Sequence, residues 1–182
     1  MSESIQLIER EYINSLLDVD QVDDSPVIVQ HESIDHSEVF KQPEIACQIF
    51  NIAGMNIAVP VSSIREIIEQ AVPINTENNS SPSMLAGTIS HKSEAIELID
   101  IEYLIMNKNS AHGQIANGVV LLKGSSTGFI YEEPPAGQSI LSQDVHWRDA
   151  NSQRLWLAGT VAQLGMALLD IDGLLKLLQA QN

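Results

Sequence analysis

The sequence predicts a mainly β fold in which two related β subdomains share one apolar core. Three observations point to this fold. From residue 45 onward the chain consists largely of short apolar segments separated by glycine-containing turns, which is typical of β-barrels and β-sandwiches. Only two short segments of that region have helical spacing. One unit of strand, turn, strand, aspartate and helix occurs twice, about 70 residues apart, so we expect two β subdomains.

The first 44 residues differ from the rest of the chain in charge. They hold 11 acidic and 2 basic residues, a net charge of −9, whereas residues 45–182 carry −6. Residues 4–17 place apolar side chains at helical spacing and predict a short amphipathic helix, and the acidic stretch after it predicts a flexible linker. We therefore divide the chain into a tail, residues 1–44, and a domain, residues 45–182. The helix could dock on a partner or pack on its own domain, and the sequence favours neither.

Within the domain the sequence predicts three β-hairpins and two helices. The first hairpin turns at Gly54, the second at residues 124–127 and the third at residues 164–165. Residues 101–107 and 172–181 have the apolar spacing of short helices. The second of these helices lies at the C-terminal end of the domain.

The internal repeat consists of two matched motifs. LAGTI begins at Leu85 and LAGTV at Leu157, and they are followed by LIDIEYL and LLDIDGL respectively. The aspartates of the second motif, Asp100 and Asp170, stand where a strand ends and a helix begins. A carboxylate in that position accepts hydrogen bonds from the free amides of the first helical turn. We predict that both are helix N-caps rather than a catalytic pair, because one cause then explains both copies.

Charge and cysteine content exclude several classes of protein. The net charge of −15 would repel nucleic-acid phosphates and anionic lipid surfaces. No apolar run reaches 18 residues, so we expect no membrane insertion. The single cysteine, Cys47, cannot form an internal disulfide or a cysteine-based zinc site, and it indicates a reducing compartment.

Residues suited to catalysis are few and scattered. The five histidines occur at positions 31, 36, 91, 112 and 146, and the sequence has no metalloprotease, hydrolase or P-loop motif. We therefore predict no enzymatic activity, no cofactor and no metal. An alternative from a different class is a small-molecule-binding or hydrolytic protein with a pocket between the subdomains. That alternative requires His91, His146 and a carboxylate to converge in one cleft.

The two tryptophans favour an interaction function. Trp147 and Trp156 lie within ten residues of each other, with Arg148 and Arg154 between them. Tryptophan and arginine are enriched at the hot spots of protein interfaces. Because its neighbours are polar, we expect Trp147 to be partly exposed. For Trp156, which Leu155 and Leu157 flank, the sequence favours a place in the core over the interface, although strand alternation leaves its face undecided.

Four segments of the domain resemble, in the same order, the CheW-like domain family. Residues 47–69 resemble the opening of that family, in which an apolar hairpin ends in a short Pro-containing turn and a helical turn then carries a V/I-x-E element. Residues 85–105 resemble its stretch from a Gly-Val-Ile-Asn-Leu-Arg-Gly turn to Ile-Asp-Leu. The segments VVLLKGSSTGFIYEEP and LAGTVAQLGMALLDIDGLLKLL follow. The resemblance implies a pair of SH3-like, five-stranded β-barrel subdomains with a few short helices and a C-terminal helix.

The same resemblance implies an adaptor function in bacterial chemotaxis. CheW-like domains couple the signalling tips of methyl-accepting chemoreceptors to the regulatory domain of the histidine kinase CheA, without catalysis. By position, Ile64 and Glu66 match the partner-contacting V/I-x-E element, and Lys92 stands where the family has an arginine. Lysine keeps the charge but lacks the planar, bidentate donor group. Together with Trp147 and Trp156, these three residues are the candidate partner-binding residues.

The segment VHWRDANSQRLWLAGTV is more similar to the CheW-like domain of ParP, a polar-localisation adaptor of chemotaxis arrays. This similarity gives a second adaptor hypothesis, in which the protein retains arrays through a polar-localisation protein and does not couple the kinase. Under either adaptor hypothesis we expect a cytoplasmic location, with chemoreceptor arrays at the cell pole as one site.

Overall fold

The computed structural model describes residues 38–76, 84–107, 115–149 and 152–180. The helix predicted over residues 4–17 and nearly all of the predicted linker lie outside these residues, so both stay predictions. Within them the chain forms thirteen strands, two α-helices and four 3₁₀ helices. The mainly β fold predicted from the sequence is confirmed.

The strands in chain order are β1 (Glu44–Ile52), β2 (Met55–Pro60), β3 (Ile64–Ile68), β4 (Val72–Pro73), β5 (Leu85–His91), β6 (Glu94–Ile99), β7 (Ile115–Ala116), β8 (Gly118–Leu122), β9 (Thr127–Tyr131), β10 (Ala136–Leu141), β11 (His146–Trp147), β12 (Leu157–Val161) and β13 (Met166–Leu169). The α-helices are α1 (Ile101–Met106) and α2 (Ile171–Gln179). The 3₁₀ helices are Glu38–Lys41, Val61–Ser63, Ser142–Asp144 and Ala162–Leu164.

The strands form two main sheets that are interleaved in sequence. The first sheet has six strands in the order β10-β1-β2-β13-β12-β11, and the second has five in the order β3-β8-β9-β6-β5. Each sheet joins distant hairpins through one parallel pair, β2 with β13 in the first sheet and β6 with β9 in the second. The two predicted subdomains are confirmed. The two-residue strand β11 gives the first of them one strand more than expected.

The three predicted hairpins are all present. The turn between β1 and β2 is formed by Ala53 and Gly54, and residues 123–126 connect β8 to β9. The third hairpin, β12 with β13, turns through the 3₁₀ helix Ala162–Leu164 and Gly165. Each hairpin therefore follows the local apolar pattern that predicted it.

The two aspartates of the repeat cap the two α-helices. The carboxylate of Asp100 accepts a hydrogen bond from the backbone N–H of Tyr103 at 2.8 Å, and that of Asp170 accepts one from Gly173 at 2.9 Å. The predicted N-caps are thus confirmed. No helix among the described residues is long and apolar enough to cross a bilayer.

The glycine of each LAGT motif lets a third segment approach the hairpin. Both hairpins of the repeat have a β-bulge before this glycine, at Gly87 and at Gly159. A Cβ atom on Gly87 would lie 2.7 Å from the carbonyl oxygen of Asn75, and one on Gly159 would lie 2.6 Å from that of His146. The repeat therefore preserves a close backbone contact as well as two strands.

One apolar core contains residues of both sheets. Phe50 of β1 contacts Phe129 and Tyr131 of β9, with ring centroids 5.3 and 5.5 Å apart. Helix α2 packs on this core through the fully buried Leu174. A smaller apolar cluster belongs to each sheet. The six-stranded sheet curls, because the three-residue 3₁₀ helix Ser142–Asp144 connects its two edge strands, β10 and β11.

Candidate functional site

Strand β3 carries two of the candidate partner-binding residues, Ile64 and Glu66. The resemblance implies a helical turn at these residues, which is wrong, because the helical turn ends at Ser63 and the residues after it pair with β8. The pairing of β3 with β8 is interrupted by a bulge between Ile64 and Glu66, and a bulge changes the direction of neighbouring side chains. Ile64 is half-buried and packs against the shared core. Arg65 and Glu66 reach the surface, and the Glu66 side chain is 35% exposed.

Lys92 lies in the tight turn that joins β5 to β6. The turn consists of Lys92 and Ser93, whose φ angles are +48° and +65°. A two-residue hairpin with this left-handed pair matches the twist of its strands, and it usually contains asparagine or glycine. Here neither turn residue is a glycine or an asparagine, and the side chain of Lys92 contacts Glu66 of β3.

Two side chains of the β5–β6 hairpin hold the carboxylate of Glu66. Nζ of Lys92 donates to its Oε1 at 2.9 Å and to its Oε2 at 2.8 Å, and Nε2 of His91 lies 3.3 Å from Oε2. The hydrogen bond from Lys92 is the largest cause that lowers the pKa of Glu66 below its usual 4.5, and the bond with His91 adds to it. Glu66 is therefore an oriented, ionised carboxylate at neutral pH.

A second ion pair lies beside the first. The guanidinium of Arg65 contacts the carboxylate of Glu94 at 3.3 and 3.2 Å, and Oγ of Ser126 donates to the same carboxylate at 2.9 Å. The hydrogen bond from Arg65 is the largest cause that lowers the pKa of Glu94. Basic and acidic groups thus alternate across this surface.

These ion pairs connect opposite edges of the five-stranded sheet. Strand β3 is at one end of the strand order and β5 at the other, so the sheet curls until its edges face each other. We name the five residues that bridge the gap the seam cluster: Arg65, Glu66, His91, Lys92 and Glu94. The Lys92 side chain is the most exposed of those in the two ion pairs, at 70%.

Sequence reasoning missed three members of the seam cluster. His91 and Glu94 are the residues that flank the two-residue turn, so the hairpin register alone identifies them. Arg65 follows Ile64 directly. What the sequence does not reveal is that β3 meets this hairpin, because the two elements contact each other through side chains across the gap between sheet edges.

Neither tryptophan belongs to the seam cluster: Trp147 ends β11 of the six-stranded sheet, and Trp156 directly precedes β12. Trp147 of β11 is half-buried and packs against Phe40, with ring centroids 5.7 Å apart. Trp156 is 5% exposed and lies in the shared core. The structure therefore brings Ile64, Glu66 and Lys92 into one region and gives both tryptophans a packing role elsewhere.

Arg148, next to Trp147 in sequence, is buried. Its side chain is 6% exposed, and its guanidinium lies 3.9 Å from the carboxylate of Asp170. It also donates to the carbonyl oxygen of Ser152 at 3.4 Å, whereas its Nε has no hydrogen-bond partner. Arg148 thus pairs with the cap of α2 and offers little surface to a partner.

The residues of the hydrolytic alternative do not converge. His91 is in the seam cluster, whereas His146 is exposed on β11 of the other sheet. Within the described ranges, no three His, Cys, Asp or Glu side chains are placed to hold a metal. A groove of about 570 Å³ beside β5 is lined by uncharged residues. Burial raises the pKa of the Cys47 thiol to about 12, so this thiol stays protonated at neutral pH.

Comparison with known proteins agrees with this architecture. The family model described as CheW-like domain matches residues 46–179. Among solved structures, the chain is similar to the scaffolding protein TtCheW from Thermoanaerobacter tengcongensis, with a TM-score of 0.56 and 12% sequence identity. The alignment covers 69% of this chain and 88% of that chain, and at this identity the similarity shows the fold. No curated protein matches the sequence.

Proposed function

The chain belongs to the CheW-like domain family, and from this premise we propose that it is a non-catalytic scaffold of bacterial chemotaxis signalling. In this proposal it binds the regulatory domain of the histidine kinase CheA and the signalling tip of a methyl-accepting chemoreceptor. It works in the cytoplasm, at receptor arrays. The observation that carries the proposal is the seam cluster, because it joins the residues that match the family's contact element to an exposed lysine.

The seam cluster has the properties of a contact surface. Glu66 is held in one orientation by Lys92 and His91, so binding a partner costs little further side-chain ordering. Lys92 remains largely exposed and retains donor capacity for a carboxylate of the partner. We propose that Ile64 supports this surface by fixing the start of β3 on the core.

We propose Trp147 as a second contact. Its ring is half-buried against Phe40, which leaves part of an apolar face accessible at the edge of the six-stranded sheet. Trp156 is left out of the proposed surface, since its side chain would have to leave the core to reach a partner. A contact at Trp147 would place one partner on each sheet.

Titration calorimetry with the purified CheA regulatory domain, and then with a receptor signalling-tip fragment, tests this function. We expect saturable binding at micromolar affinity or tighter, about −8 kcal/mol. Glu66→Ala should weaken binding about tenfold, because it removes an oriented hot-spot charge. Glu133→Ala is the control, since it also removes an exposed carboxylate but lies outside the seam cluster and outside the contacts of Trp147.

The outcomes separate the proposals. Equal binding by the Glu66→Ala and Glu133→Ala variants would show that the interface lies outside the seam cluster. Binding to the receptor fragment with none to the kinase domain would favour the polar-localisation adaptor. A folded protein that binds neither would contradict the scaffold function.

A further inference from the structure

His91 is the histidine of the seam cluster, and its charge can change near neutral pH. Histidine is the side chain that gains or loses a proton between pH 5 and 8, whereas lysine, arginine and ionised carboxylates keep their charges there. The His91 side chain is 18% exposed, so solvent reaches it. In the family pattern Gly-Val-Ile-Asn-Leu-Arg-Gly a leucine occupies this position, since Lys92 stands at the arginine. A titratable group here is therefore a feature of this chain.

Charged groups meet His91 from three elements. Glu66 belongs to β3, and its Oε2 lies 3.3 Å from Nε2 of the imidazole. Glu94 of β6 is directly opposite His91 in the hairpin register, and such pairs have Cβ atoms about 5 Å apart. Lys92 follows His91 in the turn and donates to the same carboxylate of Glu66. Arg65 of β3 reaches the same place through its ion pair with Glu94.

The carboxylate of Glu66 selects the neutral form of His91. An ionised carboxylate only accepts hydrogen bonds, so Nε2 of His91 carries the proton and donates to Glu66. Nδ1 is then the nitrogen that takes up a second proton. That proton places a positive charge beside two carboxylates, and the charge of His91 is a smaller cause of the lowered pKa at both Glu66 and Glu94.

Protonation of His91 changes the charge balance of the seam cluster. With a neutral imidazole, the positive charges of Arg65 and Lys92 balance the negative charges of Glu66 and Glu94. Protonation leaves the cluster with one positive charge in excess, in a chain whose net charge is −15. The positive ring shares the carboxylate of Glu66 with Lys92, whose side chain is 70% exposed. The ammonium group of Lys92 is then held less strongly within the cluster.

We propose that His91 is a positioning residue that makes partner binding at the seam cluster depend on pH. When His91 is neutral, Glu66 holds Lys92. When His91 is protonated, it holds Glu66 itself, and Lys92 pairs with an acidic group of the partner. Binding therefore strengthens about two- to fivefold as the pH falls from 8 to 6, which is the size expected for one exposed ion pair. This inference rests on the proposed function, because it concerns the surface proposed for the kinase regulatory domain.

Carboxyl-carbon NMR of the full chain tests the proton site without a partner. Between pH 8 and pH 6 Glu66 and Glu94 stay ionised, because the pKa of each is below its usual 4.5. We expect both carboxyl signals to move together with the ring signals of His91. The signal of Glu133, which is exposed outside the seam cluster, should stay in place. In His91→Gln, which keeps an N–H donor for Glu66 but takes up no proton, all three carboxyl signals should stay in place.

Calorimetric titration with the purified CheA regulatory domain, at pH 8 and at pH 6, tests the effect on binding. The affinity of the parent divided by that of His91→Gln should rise about two- to fivefold from pH 8 to pH 6, and this ratio removes any pH dependence that belongs to the partner. His91→Lys is charged at both pH values, so it should bind more tightly than the parent at pH 8 and equally at pH 6. Glu133→Gln raises the net charge by the same one unit and should bind like the parent at pH 8. Circular dichroism verifies the folding of each variant.

The outcomes distinguish this inference from the proposed function. Carboxyl signals of Glu66 and Glu94 that do not follow the titration of His91 would overturn the inference, whether or not the kinase domain binds. The same pH dependence of binding in the parent and in His91→Gln would also overturn it, as would equal binding at pH 8 by His91→Lys and Glu133→Gln. Absence of binding at both pH values would contradict the scaffold function, and with it the pH-dependent binding.

Discussion

The carboxylates of Glu66 and Glu94 each have their own basic neighbour. Lys92 and His91 hydrogen-bond Glu66, whereas Arg65 and Ser126 hydrogen-bond Glu94, and the charge of His91 is a smaller cause at both carboxylates. Both carboxylates have a lowered pKa, so their ionised forms favour the folded state. The stability that these two carboxylates add to the folded state is fully present above their unfolded-state pKa. It is lost as the pH falls through their lower folded-state pKa.

Lys92→Ala should raise the pKa of Glu66 toward 4.5 and leave that of Glu94 lowered. The reason is that Lys92 is the largest cause that lowers the pKa of Glu66, whereas hydrogen bonds from Arg65 and Ser126 are the largest causes that lower that of Glu94. Arg65→Ala is the matched variant and should raise the pKa of Glu94 alone. Carboxyl-carbon NMR titration measures both groups in each variant. If both carboxylates moved together in either variant, the two ion pairs would not be separate.

Single residues also show what sequence can and cannot reveal about the site. The resemblance located Ile64, Glu66 and Lys92, because they occupy motif positions. It could not locate Arg65 or Glu94, whose contact crosses the gap between two sheet edges. The exposure of Trp156 was open as well, since strand alternation has two faces and only the packed fold selects one.

At the scale of elements, local chemistry predicted the three hairpins and the two helices, but not the edge strands β3, β10 and β11. The hairpins follow from apolar segments with glycine between them, and the helices begin directly after their capping aspartates. These signals lie within a few residues of one another, so a single sequence contains them. The buried partner of the second cap, Arg148, was not predicted, because β11 and α2 are separated along the chain.

Asp170→Asn should lower the free energy of unfolding by about 1–3 kcal/mol, because it keeps a cap acceptor but leaves the buried Arg148 without its counter-charge. Arg148→Met removes that charge. Urea unfolding of both single variants and the double variant measures the coupling. We expect the double variant to lose at least about 1 kcal/mol less than the sum of the two single losses. Simple additivity would mean that the pair at 3.9 Å contributes nothing.

At the scale of the whole molecule, the two sheets depend on each other. Each contains strands from both halves of the chain, and Phe50 of one sheet packs on Phe129 of the other. The internal repeat predicted two related units but not their interleaving. The parallel pairs β2–β13 and β6–β9 join segments far apart in sequence, and no local pattern encodes them.

This interdependence predicts one cooperative unfolding transition. Gly128→Ala in β9 would place a Cβ atom 2.5 Å from the carbonyl oxygen of Val120 and should cost about 1–3 kcal/mol. The midpoint followed by tryptophan fluorescence, which reports Trp147 on β11 and Trp156 in the shared core, should fall together with the midpoint followed by far-UV circular dichroism, which reports the strands of both sheets. Gly137→Ala, with open space around it, should leave both midpoints in place. If only one of the two unfolding midpoints shifted, the chain would not unfold in a single cooperative transition.

We propose that the seam cluster is the surface that binds the kinase regulatory domain. Backbone NMR of the full chain during titration with that domain tests it most directly. We predict that the amides of Ile64–Ile68 and of residues 90–94 shift first and most, and that Lys92→Ala weakens these shifts. The proposed surface would be contradicted if binding saturated while those amides stayed unchanged and the shifts were confined to the six-stranded sheet.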